Sequence, residues 1–535
     1  MSAPTVSSTP SPLTAPALPA AGSVAARRPL GRLAALLADP RRALLAAAIL
    51  LAAVPCLDVL GDPDLWWHLR SGRWILDHLA ISPTELYSYT AQGAPWTPHE
   101  WLSEVVFALL ASAGGLLLVA VVTAAVAWSG LWACALRARD RGAGTLAVAA
   151  ALLLGARAAE PVLGTRPQVA TFALTAWTLL IAERHLARGG RIRWLLPPLV
   201  ALWANLHAGF LGGIAVLAVV VGVEAVKLRL GLRGAAPAAR VRELAVTVAV
   251  AAAAACLNPA GPKLYAYAVA TSATVKAKPI VEWMAPNLHD PGLWPFALLA
   301  VSTAAIVVLG RRIDLRDRVL AAAAVVAAFL AVRNIALLVA VALPAWTAAA
   351  GAAAALLARR RRGADAAPRL RPVTPAAVVA GALVVLCGAF GLGAGVARAS
   401  SDASPAGVAA VYPGCAVAAL QRAPEGTRVF AAYGAGGYLI DELWPRVRVY
   451  EYGELVADSD SVFAAYLRIA AGDTAAPSAL SLLDASGTDA VLFPAGTLSR
   501  GLDASGAWHR VLDDHGTLLY SRGTPAWATS ASACS

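Results

Sequence analysis

Long apolar runs, separated by short polar segments, dominate the pattern of this chain. Runs of roughly 16–24 residues are long enough for a helix to cross the hydrocarbon core of a bilayer. They are rich in Ala, Leu and Val, which favours helices over barrel strands, because backbone groups in lipid must be bonded internally. The pattern predicts an all-α polytopic transmembrane bundle of about eleven spans. The runs lie near residues 43–60, 108–136, 143–158, 168–184, 193–208, 210–228, 243–258, 293–310, 318–333, 335–357 and 374–397.

Composition excludes an ordinary soluble protein. The 535 residues are 59% hydrophobic and 14% charged, whereas soluble domains are about 45–50% apolar and about 25% charged. The net charge of +12 does not indicate nucleic-acid binding, because the basic residues lie in short clusters between apolar runs. The sequence has no Walker A, G-x-S-x-G or G-x-G-x-x-G motif that opens a cytoplasmic helix, so nothing in it indicates nucleotide use.

The basic residues also predict the orientation of the spans. They cluster after the second, fourth, sixth, eighth and tenth apolar runs, and the alternate loops are not basic. With the N-terminus in the cytoplasm, this is the positive-inside pattern. An odd number of spans then places the C-terminal region outside. We therefore expect a multi-pass protein of the bacterial inner (plasma) membrane.

The same pattern divides the chain into three parts. Residues 1–42, rich in Ala, Pro, Ser and Thr before a group of arginines, are predicted to be a disordered cytoplasmic tail. Residues 43–397 form the transmembrane domain, with an outer loop at 61–101. Residues 398–535 have the composition of a soluble domain and are predicted to be a small extracytoplasmic α/β domain.

Short elements are predicted within this C-terminal domain. The apolar segments TRVFAAY, RVRVYEY, AVLFP and TLLYS predict strands, residues 459–472 and 478–487 predict helices, and DDHG at 513–516 predicts a hairpin turn. The glycines of YGAGGYL, at 433–439, predict a turn. Cys415 and Cys534 could form a disulfide if the domain is outside the cytoplasm.

The outer loop, GDPDLWWHLRSGRWILDHLAISPTELYSYTAQGAPWTPHEW, concentrates acids, histidines and tryptophans in a chain that is poor in charge. Asp62 and Asp64 directly follow the first apolar run. A partly desolvated carboxylate at that boundary could act as a base or hold a metal or another cation. The structural alternative is a solvated helix end.

The next segment, LWWHLRSGRWILDHL, has apolar residues at helical spacing and predicts an amphipathic helix in the membrane interface. Arg70 and Arg73 would then meet lipid phosphates, and His68 lies on the same helix. Two roles remain open, a plain anchor or a platform for a lipid-linked phosphate.

His99 and Glu100 lie directly before the chain re-enters the membrane, in PWTPHEWL. Such a pair could be a proton relay or part of a metal site, although two residues are too few to name a metal. An acid favoured by a helix N-terminus is the structural alternative. We assign no metal ligand, and a divalent cation remains open as a cofactor.

Other polar residues fall on the predicted outer face. Arg166, Lys263 and Arg333 are candidates to bind a phosphate or diphosphate headgroup. Each is a functional candidate because it is ionisable at the membrane boundary, and each also has a structural alternative. The remaining candidates for substrate binding on this face are Gln168, Asn205, His207 and Glu282.

The outer loop resembles that of the polytopic GT-C glycosyltransferases, which include protein O-mannosyltransferases, aminoarabinose lipid A transferases and oligosaccharyltransferases. The shared features are an acid directly after span one, an interfacial helix, and a second acid before span two. Segments over most of residues 60–345 also resemble a group of bacterial membrane proteins with a GT-C-like plan, and GGYLIDELWP extends the likeness to the C-terminal domain. The other segments are DPDLWWHLRSGRWILDH, YSYTAQGAPWTPHEWL, WANLHAGF, LNPAGPKLY, VEWMAP and RNIAL.

This resemblance implies that Asp64, or Asp62, is the catalytic acid/base and that Glu100 is the second acid, with His99 beside it. The sequence has D-P-D where some GT-C enzymes have adjacent acids, so the choice of base stays open.

The activity implied by the resemblance is that of a hexosyl or pentosyl transferase. It would move sugar from a polyprenyl-phosphate donor to an envelope glycan, lipid or protein on the outer face. The alternatives are a lipid or glycan transporter or flippase, and a non-catalytic envelope protein. Ionisable residues gather at the outer boundary and do not line a path through mid-membrane, which favours the transferase.

Overall fold

The computed structural model describes residues 29–275, 280–310, 313–362, 373–454 and 460–529. Most of the first 402 residues are helical, and each of the eleven predicted runs contains a helix. The helices are α1 Pro29–Ala38, α2 Pro40–Leu51, α3 Leu65–His78, α4 Trp101–Asp140, α5 Thr145–Ala159, α6 Val169–Arg188, α7 Leu196–Leu206, α8 Phe210–Arg229, α9 Ala238–Ala254, α10 Lys263–Val275, α11 Trp294–Leu309, α12 Leu315–Leu330, α13 Ile335–Arg362 and α14 Pro375–Asp402.

Several helices are long and apolar enough to cross a membrane. Helix α2, with 12 residues, is only about 18 Å long and is shorter than the hydrocarbon core. The protein is therefore a membrane protein by composition and helix length, while the count of eleven spans stays a prediction. Six helical segments among the described residues meet both criteria: Trp101–Asp140, Thr145–Val162, Phe210–Arg229, Pro291–Leu309, Val332–Arg360 and Pro375–Asp402.

The first and last helices of the bundle lie side by side and run in the same direction. A Cβ atom added to Gly381 of α14 would overlap the backbone of Leu37, and one added to Gly388 would overlap Ala47. Small residues allow such close backbone approach between helices in a membrane. Helix α1 takes part in this packing, so residues 29–38 and 40–42 are helical, although the sequence predicts disorder there. Residues 1–28 lie outside the described residues.

Helix α4 contains a break that separates its first part, which follows the outer loop, from its second part, which belongs to the bundle. Gly115 has φ 67° and ψ −168°, a combination that glycine alone adopts without strain. The part before the break packs against α3, where Gly72 touches the backbone of Glu104. The start of α4 is thus held by the outer-loop helix.

The C-terminal domain is a five-stranded sheet with helices on both faces. The strand order is β2-β1-β3-β5-β4, with β1 parallel to β2 and β3, and β5 antiparallel to β3 and β4. The four segments predicted as strands all lie in this sheet, and the DDHG turn joins β4 to β5. The elements are α15 Pro405–Val411, α16 Gly414–Leu420, β1 Thr427–Ala431, α17 Tyr433–Leu443, β2 Val447–Val449, α18 Asp460–Ala471, α19 Ala479–Ala485, β3 Ala490–Pro494, α20 Thr497–Ser505, β4 Trp508–Asp514, β5 Thr517–Arg522 and α21 Ala526–Thr529.

The prediction that YGAGGYL forms a turn is wrong, because this segment begins helix α17. Glycine costs helix stability, about 1 kcal/mol relative to Ala, but here it permits close packing. A Cβ atom on Gly436 would lie 2.9 Å from the Glu451 carbonyl oxygen, and one on Gly437 would lie 2.7 Å from that of Pro63. Tertiary packing has overridden the local preference. Cys534 lies outside the described residues, so its pairing with Cys415 stays a prediction.

Helix α3 forms where predicted, but it lies between the bundle and the C-terminal domain. Its residues Leu65, Trp66, Trp67 and Leu69 share one apolar core with strands β1, β2 and β3. The expectation that Arg70 and Arg73 meet lipid phosphates is not met. The Arg70 guanidinium donates to the Trp444 carbonyl, and Arg73 donates to Asp441 at 2.6 Å. Both groups attach the C-terminal domain to the helix.

The rest of the outer loop continues the C-terminal sheet. Tyr89 donates its backbone N–H to the Val449 carbonyl at 3.0 Å, and Val449 donates to Tyr87 at 3.2 Å. Glu85 accepts from the backbone N–H groups of Tyr87 and Ser88, at 2.7 and 2.8 Å. The loop is therefore ordered by edge pairing with β2 and by one buried carboxylate.

Candidate active site

The D-P-D turn gives its two aspartates different surroundings. Asp62 is 2% exposed. One of its oxygens accepts from Nε of Arg166, and the other accepts from the backbone N–H of Asp64 at 2.9 Å. Asp62 is therefore fully engaged in holding the turn and Arg166, which leaves it little capacity to take up a proton.

The Asp64 carboxylate, unlike that of Asp62, is not paired with a described arginine. It stands at the N-terminal end of α3 but makes no capping hydrogen bond, and no described arginine or lysine forms a salt bridge with it. Burial raises the pKa of Asp64 to about 6; His68 opposes this change, and Glu282 and Glu100 add to it. A carboxylate with a pKa near the working pH is suited to general base catalysis.

A cationic group lies beside this turn. Arg166 donates Nη1 to Glu282 at 2.7 Å as well as Nε to Asp62. Arg333 stacks on the Trp283 ring, with its guanidinium carbon 4.0 Å from the ring centroid, and makes no salt bridge with a described residue. These contacts bring three of the predicted candidates, Arg166, Glu282 and Arg333, to the same end of the bundle as Asp62.

Three histidines surround Glu100. Its side chain is 11% exposed. His99 Nε2 and His207 Nε2 each lie 3.3 Å from Oε1, and His68 Nε2 lies 3.4 Å from Oε2. Four candidates that are separated by up to 139 positions in the sequence thus form one buried cluster, which we call the Glu100 cluster.

The hydrogen bonds define how this cluster is protonated. His207 Nδ1 accepts from the Gly209 backbone N–H at 2.8 Å, so a neutral ring carries its proton on Nε2, the nitrogen that lies 3.3 Å from the Glu100 carboxylate. Burial lowers the pKa of His207 to about 4, which keeps it neutral. Burial would also lower the pKa of His99, but Glu100 raises it to about 9. Burial would raise the pKa of Glu100, but His99 and then His207 hold it below its usual range. Near pH 7 the core of the cluster is an ionised Glu100 with a protonated His99.

Two acids beside the cluster were missed by the sequence analysis. Glu104 Oε1 lies 3.4 Å from His68 Nδ1, and its other oxygen has no hydrogen-bond partner in the described structure. Glu104 follows Glu100 by four residues, which on a helix places both on one face, so this spacing was a usable signal. Glu454 accepts from Trp96 at 3.2 Å and Tyr267 at 3.3 Å. Burial raises its pKa to about 7. It comes from the C-terminal domain, and nothing in the local sequence indicated its place.

The remaining predicted site residues lie outside these groups, and their contacts indicate no role in binding or catalysis. Asn205 accepts from Trp101 at 2.9 Å and donates to the Leu257 carbonyl, so it joins the ends of three helices. Gln168 donates only to the Val162 carbonyl, at 3.4 Å. Lys263 is exposed at the start of α10. In the ranges that the structure describes, no group of three or more His, Cys, Asp or Glu side chains has an arrangement that could hold a metal ion.

Comparisons with known proteins define the class of fold. No protein-family profile matches the chain, and no curated protein matches it. The archaeal oligosaccharyltransferase AglB from Archaeoglobus fulgidus, solved with an inhibitory peptide and a dolichol-phosphate, is similar in structure, with a TM-score of 0.55. The two are 12% identical, over 90% of this chain and 74% of that one.

A bacterial protein shows the same likeness. ArnT from Cupriavidus metallidurans, solved with undecaprenyl phosphate bound, has a TM-score of 0.52 and is 14% identical, over 90% of this chain and 97% of that one. Its apo form gives a TM-score of 0.51. This chain therefore has the fold of the GT-C membrane glycosyltransferases, which confirms the resemblance stated from the outer loop. At these identities the likeness concerns the fold.

Proposed function

We propose that this protein is a GT-C-type glycosyltransferase that moves a sugar from a polyprenyl-phosphate donor to an acceptor at the membrane face that carries the C-terminal domain. The observation that carries the proposal is Asp64, a largely buried carboxylate without a salt bridge to any described residue, whose pKa is raised to about 6. Two proteins of similar fold were solved with a polyprenyl phosphate, dolichol-phosphate in one and undecaprenyl phosphate in the other.

Arg333 is the candidate that best suits the donor phosphate. Arg166 is already engaged by hydrogen bonds to two carboxylates, Asp62 and Glu282. Arg333 stacks on the Trp283 ring and is near enough to Glu282 for the charges to act on each other, but it forms no salt bridge with a described residue. A guanidinium has several donors in a fork that matches phosphate geometry. Arg333 would bind the phosphate, and Arg166 would hold Asp62 and Glu282 in place and add positive charge nearby.

Asp64 would act as the general base in a direct displacement. It takes the proton from an acceptor hydroxyl or amine while the acceptor atom forms a bond to the anomeric carbon. The bond from that carbon to the phosphate oxygen breaks, and the polyprenyl phosphate leaves with the electron pair. The Glu100 cluster would lie behind this site as a fixed charge, since its carboxylate is already surrounded by three histidines.

The test is transfer by the Asp64→Asn variant. The purified full-length protein, in lipid nanodiscs, would be given undecaprenyl-phosphate-linked hexose and pentose donors with envelope fractions as acceptor. Release of undecaprenyl phosphate and labelling of the acceptor would be measured. We expect a loss of about 10²–10⁴-fold, the usual contribution of a general base.

Asp77→Asn is the matched control, because Asp77 lies exposed near the end of the same helix, and it should transfer at the wild-type rate. Retention of transfer by Asp64→Asn would contradict the role of Asp64. Movement of the intact donor across the bilayer, with no bond broken, would instead support the transporter.

A further inference from the structure

A glycine of the C-terminal domain lies directly against the proposed base. A Cβ atom built on Gly453 would overlap the Asp64 carboxylate, with Oδ1 and Cγ inside the contact limit and Oδ2 at 2.9 Å. Side-chain Cβ atoms do not approach other heavy atoms this closely in real structures. The space that the Asp64 carboxylate occupies therefore exists only because residue 453 has no side chain.

We propose that Gly453 is a positioning residue for Asp64, so that the C-terminal domain completes the catalytic site. This inference rests on the proposed function, since it assigns a position to the base of that reaction. It goes beyond that function because the base belongs to the outer loop, whereas the group that defines its position comes from a separate domain, about 390 residues later in the chain.

The backbone at Gly453 is held firmly from both sides. Tyr452 is 1% exposed and donates its hydroxyl to Glu85 at 3.1 Å. On the other side, Glu454 accepts from Trp96 Nε1 at 3.2 Å. Both partners belong to the outer loop, so the glycine is attached to the same segment that carries Asp64. An added methyl group would therefore displace the carboxylate and not the backbone.

Helix α17 supports the same contact from a second direction. A Cβ atom on Gly437 would lie 2.7 Å from the Pro63 carbonyl oxygen and 3.5 Å from the Trp67 ring. One on Gly434 would lie 3.8 Å from Pro63, an ordinary contact. The glycines of YGAGGYL thus allow the domain to approach the D-P-D turn, and Gly453 then meets the carboxylate that follows it.

Displacement of Asp64 would also change its titration. Several charged or titratable groups act on it: His68 on its own helix, Glu100 and Glu282 from neighbouring loops, Tyr412 between α15 and α16, and Tyr433 at the start of α17. Burial is the largest cause of its raised pKa. A carboxylate pushed out towards solvent loses part of this effect, so its pKa should fall.

The geometry can be tested without any activity assay. The double variant Asp64→Cys with Gly453→Cys, in the full-length protein, should form an internal disulfide on mild oxidation. A Cβ atom at residue 453 would overlap Asp64 Cγ, which places it within about 4 Å of Asp64 Cβ, and a disulfide needs Cβ atoms about 3.5–4.5 Å apart. The cross-linked peptide would be identified by mass spectrometry. The control pairs Gly453→Cys with Asp77→Cys at the far end of α3, and it should not cross-link. Absence of the 64–453 cross-link would overturn the inference.

The kinetic test compares Gly453→Ala with Gly501→Ala. Gly501 lies in helix α20 with open space around it, so its variant should keep the wild-type rate and pH profile. For Gly453→Ala we expect transfer to fall about 10–10²-fold, the order of cost for a catalytic group misplaced by an ångström. The acidic limb of its pH profile should move to lower pH.

A uniform loss of rate with an unmoved acidic limb would contradict positioning, and so would a wild-type profile. The outcomes separate the two proposals. If Asp64→Asn is inactive while Gly453→Ala behaves as wild type, the proposed function stands and this inference fails. If Asp64→Asn is active, the proposed function itself fails. If Gly453→Ala does not fold, the cysteine cross-link decides.

Discussion

Two buried charge clusters lie at opposite ends of the same helices, and they differ in how completely they are paired. Helices α4 and α6 begin beside Glu100 and Arg166 and end beside a second cluster. There Arg137, which is fully buried, and Arg141 both donate to Glu183, at 2.8 Å for the shortest bond of each. Arg141 also binds Asp317 at 2.7 Å. Every carboxylate oxygen of this second cluster accepts a hydrogen bond from an arginine.

The cluster at the site end is not paired in this way. Glu104 has an oxygen, and His99 a ring nitrogen, without a hydrogen-bond partner among the described residues, and Asp64 has no salt bridge there. The basic side chains around Glu100 are histidines, with pKa values from about 4 for His207 to about 9 for His99, whereas arginines stay protonated at any working pH. A saturated cluster can fix the ends of helices, but it has no capacity to take up a proton. The unsaturated cluster has that capacity, at a cost in stability.

The largest effect on stability is expected in the saturated cluster. Glu183→Ala would leave Arg137 and Arg141 without their shared carboxylate, and breaking a buried ion pair costs about 3–5 kcal/mol. Thermal and chemical unfolding in mild detergent would measure it. The folded fraction should transfer sugar at the wild-type rate. A variant as stable as the wild type would show that this cluster does not fix the helix ends.

Glu100→Gln should reduce both activity and stability, and the stability change should depend on pH. We expect transfer to fall by up to about 10²-fold, because the cluster behind the base loses its fixed charge. Since Glu100 raises the pKa of His99 to about 9, the pair contributes stability that is fully present below pH 6.5 and is lost as the pH rises through 9. The difference in unfolding free energy between wild type and variant should therefore narrow as the pH rises from about 6.5 to 9 and stay small above pH 9. If the difference in unfolding free energy between wild type and variant were constant from pH 6 to 10, Glu100 and His99 would not form a stabilising charge pair.

The Asp64→Asn substitution should instead increase stability. Folding raises the pKa of Asp64 from 3.8 to about 6, so the ionised carboxylate costs stability that develops as the pH rises from about 4 to 6, and the neutral amide removes this cost. We expect the variant to be more stable than the wild type by on the order of 1 kcal/mol at pH 8, with little difference at pH 4. Loss of stability at pH 8 would indicate that Asp64 is a structural carboxylate like Glu183.

The smallest effect is expected at Lys263. Its side chain is exposed at the start of α10 and forms no salt bridge with a described residue. Lys263→Ala should leave transfer and stability within experimental error of the wild type, whereas Arg333→Ala should weaken donor binding. If Lys263→Ala needed a much higher donor concentration than the wild type for sugar transfer, the phosphate-binding role would be assigned to Lys263 and not to Arg333.

Sequence reasoning found most of the helices and most members of the candidate site. The apolar runs predicted the positions of the helices, because a helix that lies in lipid must be formed by a long apolar segment. The loop charges correctly grouped five candidates at one end of the bundle, because every second loop of a multi-pass protein lies on the same side of the membrane. These candidates are Asp62, Glu100, Arg166, His207 and Glu282.

What the sequence could not provide was contact between domains. Glu454 and Gly453 follow β2, and only the docking of the sheet on the outer loop brings them to the site. The same docking explains the error at YGAGGYL, where glycine was taken as a turn former although its role is to permit close approach. The local sequence pattern indicates only the local conformational preference, whereas Gly453, Glu454 and the glycines of YGAGGYL act through tertiary packing.

The pairing of α14 with the first two helices has a consequence for how the protein is made. Helix α2 ends at Leu51, and its partner begins only at Pro375. At ordinary rates of synthesis, α14 is translated on the order of tens of seconds after α2. During that interval the short α2 lacks the neighbour whose glycines lie against it. A chain that ends before α14 would lack this pairing and the C-terminal domain that packs on the outer loop, so the candidate site can be completed only when the chain is nearly finished.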